Sequence, residues 1–311
     1  MGEDVLVTGG AGFVGSHLVD SLLDDGHAVT VVDNFTTGRN ANVASHRGDS
    51  DFTAVDADVR SASSLPDVDA IYHLATRASP TDFAEYPVDI ALTNSVGTKN
   101  LLDHARECDA RFLLASTSEV YGDPEVHPQH EEYNGNVDPR GPRACYDEAK
   151  RFAETLTVAY GDEYGVETRT ARIFNTYGPR MREDDGRVIP TFVSQALAGE
   201  DLTVYGDGTQ TRSFCYVSDL VAGLRALMET EGLDGDVVNL GNEHEVTINE
   251  LAERIRSLCD TDSGVTYSDL PEDDPQRRRP DIGRAAKLLD WEPDVRLEDG
   301  LARTIDYFRD A

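Results

Sequence analysis

Two side chains in the segment CYDEAK have types and spacing that suit proton transfer. Tyr146 and Lys150 stand four positions apart, so a helix would place both on one face. A free tyrosine has a pKa of about 10 and is a poor base at neutral pH. A lysine ammonium and a positively charged cofactor ring close by would both lower that pKa. The spacing therefore predicts that Tyr146 takes the proton of a reacting hydroxyl group.

The apolar run RFLLA ends in three hydroxyl side chains and a carboxylate. Ser116, Thr117, Ser118 and Glu119 follow it directly. Open α/β sheets bind their ligands at the carboxyl ends of their strands. Thr117 is predicted to share the hydrogen bond to the reacting hydroxyl. For Glu119 the sequence leaves open a role in the reaction or a simple cap of a helix or loop.

A glycine-rich turn, TGGAGFVG, indicates a dinucleotide site near the start of the chain. Gly9, Gly12 and Gly15 permit a tight turn and the close approach of a pyrophosphate to a helix N-terminus. Asp33 ends the second predicted strand, where a carboxylate holds a ribose 2′-hydroxyl and repels a 2′-phosphate. NAD is therefore predicted rather than NADP, although Arg39 nearby is of the type that binds a 2′-phosphate. The predicted cofactor contacts are Gly9, Gly12, Phe13, Val14, Gly15, Asp33, Asn34, Leu74, Ala75, Tyr146 and Lys150, with Asp58 and Val59 at the adenine.

Short apolar runs alternate with helical patterns over the first 175 residues. This alternation predicts an α/β fold with a doubly wound parallel sheet of the Rossmann type. The predicted strands are 4–9, 28–33, 51–58, 70–75, 111–117 and 168–175. The predicted helices are 13–25, 88–107, 146–164, 189–199, 218–230, 247–259 and 283–290. We interpret 1–175 as the NAD-binding domain and 176–311 as a smaller substrate-binding lobe, with an approximate boundary across which segments can interleave.

The chain is strongly acidic, with a formal net charge of −31. This surplus argues against nucleic acids and anionic membranes as partners. The acidity and the scarcity of lysine are typical of a protein from a salty cytoplasm, where screening weakens self-repulsion; an acidic mesophilic protein is the alternative. No signal peptide or transmembrane run is recognisable, which predicts a cytoplasmic protein.

The cysteines lack the spacing of a zinc site or a redox pair and are predicted to be reduced thiols: Cys108, Cys145, Cys215 and Cys259.

Several longer segments carry a family signature: VVDNFTTGR, LLASTSEVYGDPEVHPQ, GPRACYDEAKRFAETL, ARIFNTYGPRM, LTVYGDGTQTRSFCYVSDL and DDPQRRRPDI. Together they resemble the extended short-chain dehydrogenase/reductase superfamily and, within it, the UDP-glucuronate decarboxylase family. The resemblance implies that NAD oxidises the sugar C4 hydroxyl, that the β-keto acid loses carbon dioxide, and that NADH reduces the 4-keto pentose to UDP-xylose. It covers nearly the whole chain.

The resemblance also implies roles for individual residues. Ser118 and Glu119 are implied to position the sugar ring and to handle protons around C5. Arg278 is implied to act near the substrate carboxylate or as a proton donor. Its neighbours Arg277 and Arg279 are interpreted as a solvated charge run within the predicted loop PEDDPQRRRPDI. The implied substrate-binding residues are Asn175, Arg187, Tyr205, Gln210, Arg212 and Arg278. They belong to an arginine-rich half of the chain that would offer an anionic UDP-sugar a local basic patch.

Some positions depart from the family pattern and leave the exact nucleotide sugar open. The departures are Thr76 and Arg77 for a cysteine or serine followed by proline, Leu92 for a lysine, and Asn134 for a tryptophan. The spacing of His127 and His130 is compatible with a metal pair, but their prolines and the resemblance argue against one, and no metal is predicted.

Two alternatives remain at this point. Another nucleotide-sugar enzyme, a 4-epimerase or a 4,6-dehydratase, would share the glycines, Tyr146 and Lys150. An epimerase usually lacks SEVYG together with RRRPDI, and a dehydratase usually has Asp-Glu in place of Ser118-Glu119. The second alternative is a non-catalytic NAD-sensing module. The resemblance alone implies a homodimer formed through the helices near 88–107 and 146–164.

Overall fold

Parallel strands form the centre of the protein, whose computed structural model describes residues 2–269 and 277–310. The strands are β1 (Asp4–Thr8), β2 (Ala28–Asp33), β3 (Phe52–Asp56), β4 (Ala70–His73), β5 (Arg111–Thr117), β6 (Thr168–Ile173), β7 (Thr176–Tyr177), β8 (Leu202–Tyr205), β9 (Thr211–Ser213), β10 (Cys215–Tyr216), β11 (Asp236–Leu240), β12 (Glu245–Thr247), β13 (Val265–Ser268) and β14 (Arg277–Arg278). The largest sheet has seven strands in the order β11-β6-β5-β4-β1-β2-β3. All its neighbouring pairs are parallel, so the predicted doubly wound sheet is confirmed.

Helices cover both faces of this sheet. They are α1 (Phe13–Asp24), α2 (Pro80–Glu85), α3 (Pro87–Leu92), α4 (Thr98–Cys108), α5 (Ala144–Tyr164), α6 (Val188–Ala198), α7 (Val217–Glu229), α8 (Ile248–Cys259), α9 (Gly283–Leu289) and α10 (Leu297–Asp310). A π-helical turn at Thr93–Gly97 joins α3 to α4, so the single helix predicted over 88–107 is interrupted. Among the described residues no helix is long and apolar enough to cross a membrane.

The side chains of the central strands alternate between two apolar layers. Val5 and Val7 of β1 pack in one buried cluster, and Leu6 between them packs in the other. This period of two follows from the pleat of a strand, and both layers are apolar because helices cover both faces. The central sheet is therefore buried on both faces, and its carboxyl edge is left to carry polar side chains.

The seventh strand comes from the second half of the chain. β11 pairs with β6, with Asp236 opposite Arg169, so it extends the central sheet beyond the boundary predicted after residue 175. No strand was predicted there. The rest of the second half forms small sheets: β10 with β7, β13 with β8, and β9 between β12 and β14. The predicted loop over 271–282 contains β14 at Arg277–Arg278, while residues 271–276 lie outside the described part.

Candidate active site

The carboxyl edge of the central sheet and the second half of the chain enclose a cavity of about 510 Å³. Every residue that the sequence assigned to the cofactor, the substrate or the reaction lines this cavity. They are Gly9, Gly12, Phe13, Val14, Gly15, Asp33, Asn34, Asp58, Val59, Leu74, Ala75, Thr117, Ser118, Glu119, Tyr146, Lys150, Asn175, Arg187, Tyr205, Gln210, Arg212 and Arg278. The structure thus brings the whole predicted set together, while the individual roles stay predictions.

The glycine-rich turn between β1 and α1 has the shape that a dinucleotide pyrophosphate needs. Gly9 has a φ of +70°, which side chains with a Cβ rarely adopt. A Cβ on Gly15 would lie 2.2 Å from the Gly9 carbonyl oxygen, so only glycine fits there. The backbone at Gly9 therefore lies close to the first turn of α1, with no side chain between them. This cradle fits a pyrophosphate at the helix N-terminus.

Asp33 at the end of β2 is fixed by the backbone around it. Its two carboxylate oxygens accept hydrogen bonds from the N–H groups of Ala11, at 3.0 Å, and Phe35, at 2.8 Å. Burial raises the pKa of this carboxyl, and the two backbone hydrogen bonds act in the opposite direction. Because a carboxylate offers about four lone-pair sites, it can still accept a ribose hydroxyl. The residues present therefore fit the adenosine half of NAD.

Tyr146 and Lys150 project from one face of α5 toward the end of β5. Both are buried, and the Thr117 hydroxyl is hydrogen-bonded to Tyr146. The Lys150 ammonium donates to the Ala115 carbonyl oxygen at 2.7 Å. The ring of Phe83 stacks on Tyr146, with ring centroids 5.0 Å apart. These contacts fix the phenol and the amine relative to the sheet edge.

In the chain without its cofactor the pKa of Tyr146 is raised, so the lowering expected from Lys150 and the cofactor ring together stays a prediction. Burial raises the pKa of Tyr146 to about 12, against the hydrogen bond from Thr117 and the charge of Arg187, which lower it. Burial also lowers the pKa of Lys150 to about 7, and the nearby charge of Glu154 raises it only in part. A dry site disfavours the charged form of both groups, which opposes the effect of the lysine charge on the phenol.

Glu119 lies between two arginines. One carboxylate oxygen is 2.5 Å from Arg143 Nη2, and the other is paired with Arg278 Nη1. Arg278 is itself buried and donates to the Gly122 carbonyl oxygen at 2.9 Å. Burial raises the pKa of Glu119, but the charges and hydrogen bonds of the two arginines outweigh it and lower the pKa to about 2. Glu119 is therefore a carboxylate at neutral pH rather than a proton donor.

The residues assigned to the substrate line the same cavity and come from the second half of the chain. Gln210 Nε2 donates to the Tyr205 carbonyl oxygen at 2.7 Å, and the Tyr205 side chain is half exposed. Arg212 Nη1 donates to the Thr211 carbonyl oxygen at 2.9 Å. Arg187 pairs with a nearby aspartate. Among the described residues that line the cavity nine are basic and six acidic, so the site is locally basic in a very acidic chain.

Among the positions that depart from the family pattern, Arg77 also lines the cavity. Its guanidinium lies 4.0 Å above the ring of Tyr86, between the carboxylates of Asp82 and Asp89. Leu92 and Asn134 are both exposed. The neighbours of Arg278 differ from each other: Arg277 is exposed, and Arg279 extends to within 4.0 Å of Glu245. His127 and His130 contact separate carboxylates, those of Glu245 and Glu132.

Sequence reasoning missed several residues of the site. Arg143 was overlooked although it precedes Tyr146 by three positions, and a cation just before a helix that carries a reacting group was a usable signal. Asp147, next to Tyr146, is buried, and burial together with the charge of Glu119 raises its pKa to about 7. Phe83 comes from α2, and no local pattern indicates that it stacks on Tyr146.

Sequence comparisons agree with this geometry. A sequence model of the NAD dependent epimerase/dehydratase family matches residues 5–241. The chain is 56% identical over 305 residues to UDP-glucuronic acid decarboxylase 1 of Xenopus tropicalis, covering 98% of this chain and 72% of the relative. It is 55% identical over 308 residues to UDP-glucuronic acid decarboxylase 2 of Arabidopsis thaliana, covering 99% and 68%. The resemblance inferred from the sequence segments is confirmed.

A solved structure with bound ligands has the same fold. It is UDP-glucuronic acid 4-epimerase from Bacillus cereus in complex with UDP-glucuronic acid and NAD. The TM-score is 0.90 at 29% sequence identity, and the match covers 99% of each chain.

Proposed function

Because this chain belongs to the NAD dependent epimerase/dehydratase family, we propose that it converts UDP-glucuronate to UDP-xylose and carbon dioxide. The observation that carries the proposal is the ion pair of Glu119 and the buried Arg278 in the same cavity as Tyr146. Arg278 comes from the segment RRRPDI, which the epimerase pattern usually lacks together with SEVYG. The identity of more than half to relatives named decarboxylases supports the same choice.

The first step is oxidation at C4 of the sugar. The glycine-rich turn and Asp33 would hold NAD, which would supply a reversible hydride acceptor for C4 and a positive ring that favours the ionised form of Tyr146. Tyr146 takes the proton of the C4 hydroxyl, and Thr117 holds that hydroxyl by a hydrogen bond. Lys150 is fixed by the Ala115 carbonyl and keeps the helix face with Tyr146 turned toward the strand end.

The second step is loss of the carboxylate from C5. In the 4-keto sugar the electron pair of the breaking carbon–carbon bond moves to the C4 oxygen, and carbon dioxide leaves. The Tyr146 hydroxyl donates to this developing enolate oxygen and stabilises it. Glu119 is an anion beside the leaving carboxylate, and its repulsion favours departure. Arg278 neutralises part of this charge, so that an anionic substrate can still enter.

The last step restores C4 and adds a proton at C5. Glu119 is ionised, so it can accept a hydrogen bond from a water or hydroxyl group and orient that group, which donates the proton to C5 and is reprotonated from solvent. Tyr146 returns its proton to the C4 oxygen as the carbonyl is reduced. The atoms balance: the sugar loses carbon dioxide and gains one proton, and the cofactor ends in its starting redox state.

Mass spectrometry of the nucleotide product tests this proposal. UDP-glucuronate is incubated with the protein and NAD in molar potassium chloride. We expect the product to be lighter by one carbon dioxide, with no net formation of NADH. An unchanged mass with altered chromatography would identify a 4-epimerase, and loss of water a dehydratase. Either result would overturn the decarboxylase assignment, and Tyr146→Phe provides the inactive control.

We also propose that the protein works as a homodimer. α3 and α4 pack against α5, and apolar side chains of this helical face are exposed. They are Val88 (69%), Leu92 (42%), Val96 (40%), Phe152 (48%) and Val158 (46%). A second copy of the same face would cover them. Light scattering of a Val88→Glu, Phe152→Glu double variant is expected to give a monomer, and the exposed Tyr267→Ser change should leave a dimer. A wild-type monomer would refute this.

A salty, reducing cytoplasm is the proposed working environment. The net charge of −31 suits high salt, and the four cysteines are unpaired thiols. We expect activity to rise toward about 1 M potassium chloride, where the screening length falls to roughly 3 Å. Full activity in dilute buffer would count against the assignment.

A further inference from the structure

Arg143 lies between the turn that carries Glu119 and the helix that carries Tyr146. It immediately precedes α5, the helix that carries Tyr146 and Lys150. Its guanidinium donates to Glu119 at 2.5 Å, and Glu119 belongs to the turn after β5. One side chain therefore links the strand-end carboxylate to the start of the helix.

Arg143 also contacts the ring that stacks on the phenol of Tyr146. Its guanidinium carbon lies 5.6 Å from the centre of the Phe83 ring, and this ring stacks on Tyr146. A cation near an aromatic face is attracted to it, which favours one orientation of the guanidinium. The position of Glu119 is thus related to that of Tyr146 through three contacts: Glu119 with Arg143, Arg143 with Phe83, and Phe83 with Tyr146.

Arg278 alone leaves one oxygen of Glu119 without a charged partner. Arg278 pairs with one carboxylate oxygen, and Arg143 with the other. The Glu119 carboxylate is largely removed from water, so leaving one of its oxygens without a partner is unfavourable. Without Arg143 the Glu119 side chain, which has three rotatable bonds, would lose the contact that sets its direction on the Tyr146 side.

We propose that Arg143 is a positioning residue that holds Glu119 at a fixed place relative to Tyr146. This inference rests on the proposed function, because it assigns Glu119 a part in the turnover of a nucleotide sugar. Arg143 acts through Glu119, so its removal should lower kcat more than it raises KM. A displacement of about 1 Å at a reacting group can cost on the order of 100-fold in rate.

Arg143→Ala, Arg143→Lys and Arg140→Ala form the test series. Arg140 is exposed, lies in the same segment before α5, and is the matched control. We expect Arg143→Ala to lower kcat by about 100-fold with KM changed by no more than about threefold. Lysine keeps the charge but not the planar fork, so Arg143→Lys should recover only part of the loss. Arg140→Ala should behave as wild type.

Guanidinium ion added to Arg143→Ala distinguishes positioning from a structural role. If the missing group only holds Glu119, millimolar guanidinium should restore kcat by about tenfold or more, and it should not help Arg140→Ala or wild type. No rescue, together with lower thermal stability and weaker NAD binding, would show that Arg143 is needed for folding and would overturn the inference.

A double-mutant cycle tests whether Arg143 acts through Glu119. In a Glu119→Gln background, Arg143→Ala should change kcat by no more than about twofold, because the carboxylate it positions is already absent. Fully additive losses would refute the inference. The cycle uses whichever nucleotide sugar the wild-type protein converts, so a wrong substrate assignment would appear in the product mass and not in this cycle.

Discussion

Replacing Lys150 with methionine is expected to stabilise the protein while it abolishes turnover. The Lys150 side chain is 1% exposed, and its one hydrogen bond to the described residues goes to the Ala115 carbonyl oxygen. Burial lowers its pKa from 10.5 to about 7, and Glu154 compensates only in part. Glu154 is already paired with Arg172 at 2.8 Å. Folding therefore disfavours the charged form of the Lys150 amine.

The size of the effect follows from the pKa difference. At 1.36 kcal/mol per unit, a gap of about 3.5 units corresponds to roughly 5 kcal/mol, of which roughly 4 kcal/mol of stability is lost at pH 7 because the folded lysine is still about half protonated there. Methionine leaves the Ala115 carbonyl without its partner, which costs about 1 kcal/mol. The net expectation is that Lys150→Met raises the free energy of unfolding by about 3 kcal/mol at neutral pH.

The pH dependence has a definite sign. Between about pH 7 and 10.5 the unfolded lysine binds a proton that the folded one has lost, so the wild-type protein gains stability as the pH rises. The advantage of Lys150→Met should therefore shrink by about 2 kcal/mol between pH 7 and pH 9.

Urea unfolding of nucleotide-free protein in constant molar salt measures these differences. The exposed Lys287→Met is the control, because it removes a lysine charge without a buried amine. Its stability should differ little from wild type at either pH. Two results together would refute the argument from burial. Lys150→Met would be no more stable than wild type at neutral pH, and the difference in their free energies of unfolding would not change with pH.

Three further substitutions test other parts of the site. Tyr146→Phe should lower turnover by about 10²–10⁴-fold with NAD affinity unchanged by calorimetry, since only the hydroxyl that moves the proton is lost. Gly15→Ala should weaken NAD binding and change the cavity little elsewhere, because its Cβ would lie 2.2 Å from the Gly9 carbonyl oxygen; normal NAD affinity would contradict the cradle. Arg278→Gln should lower kcat far more than NAD affinity and raise the pKa of Glu119, visible as a new acid limb in the pH profile, whereas equal losses would indicate misfolding.

Local patterns in the sequence were sufficient for the parts of the site that lie on one element. The spacing of Tyr146 and Lys150 needs only a helix, and α5 provides it. The turn with Gly9 and Gly15 needs only a strand followed by a helix. Parallel strands then bring their carboxyl ends to one edge, which explains why residues far apart in the chain line one cavity.

Long-range pairings were beyond the reach of these patterns. The partners of Glu119 stand 24 positions away, at Arg143, and in β14, at Arg278. β11 joins the central sheet beside β6 although more than sixty residues separate them in the chain. The burial that raises the pKa of Tyr146 has a related origin, because it depends on neighbours such as Phe83 that come from another helix.

The charge distribution connects the proposed substrate to the proposed environment. A chain with a net charge of −31 repels an anionic sugar nucleotide at long range. Salt shortens the range of this repulsion to a few ångströms from the surface. Contacts inside the cavity act at hydrogen-bond distance, where mobile ions screen little, so its basic lining keeps its attraction at high salt. Salt should therefore lower KM for the anionic substrate by removing repulsion. In a protein with the same cavity but a neutral surface, salt would raise KM, because it would weaken the only long-range attraction present.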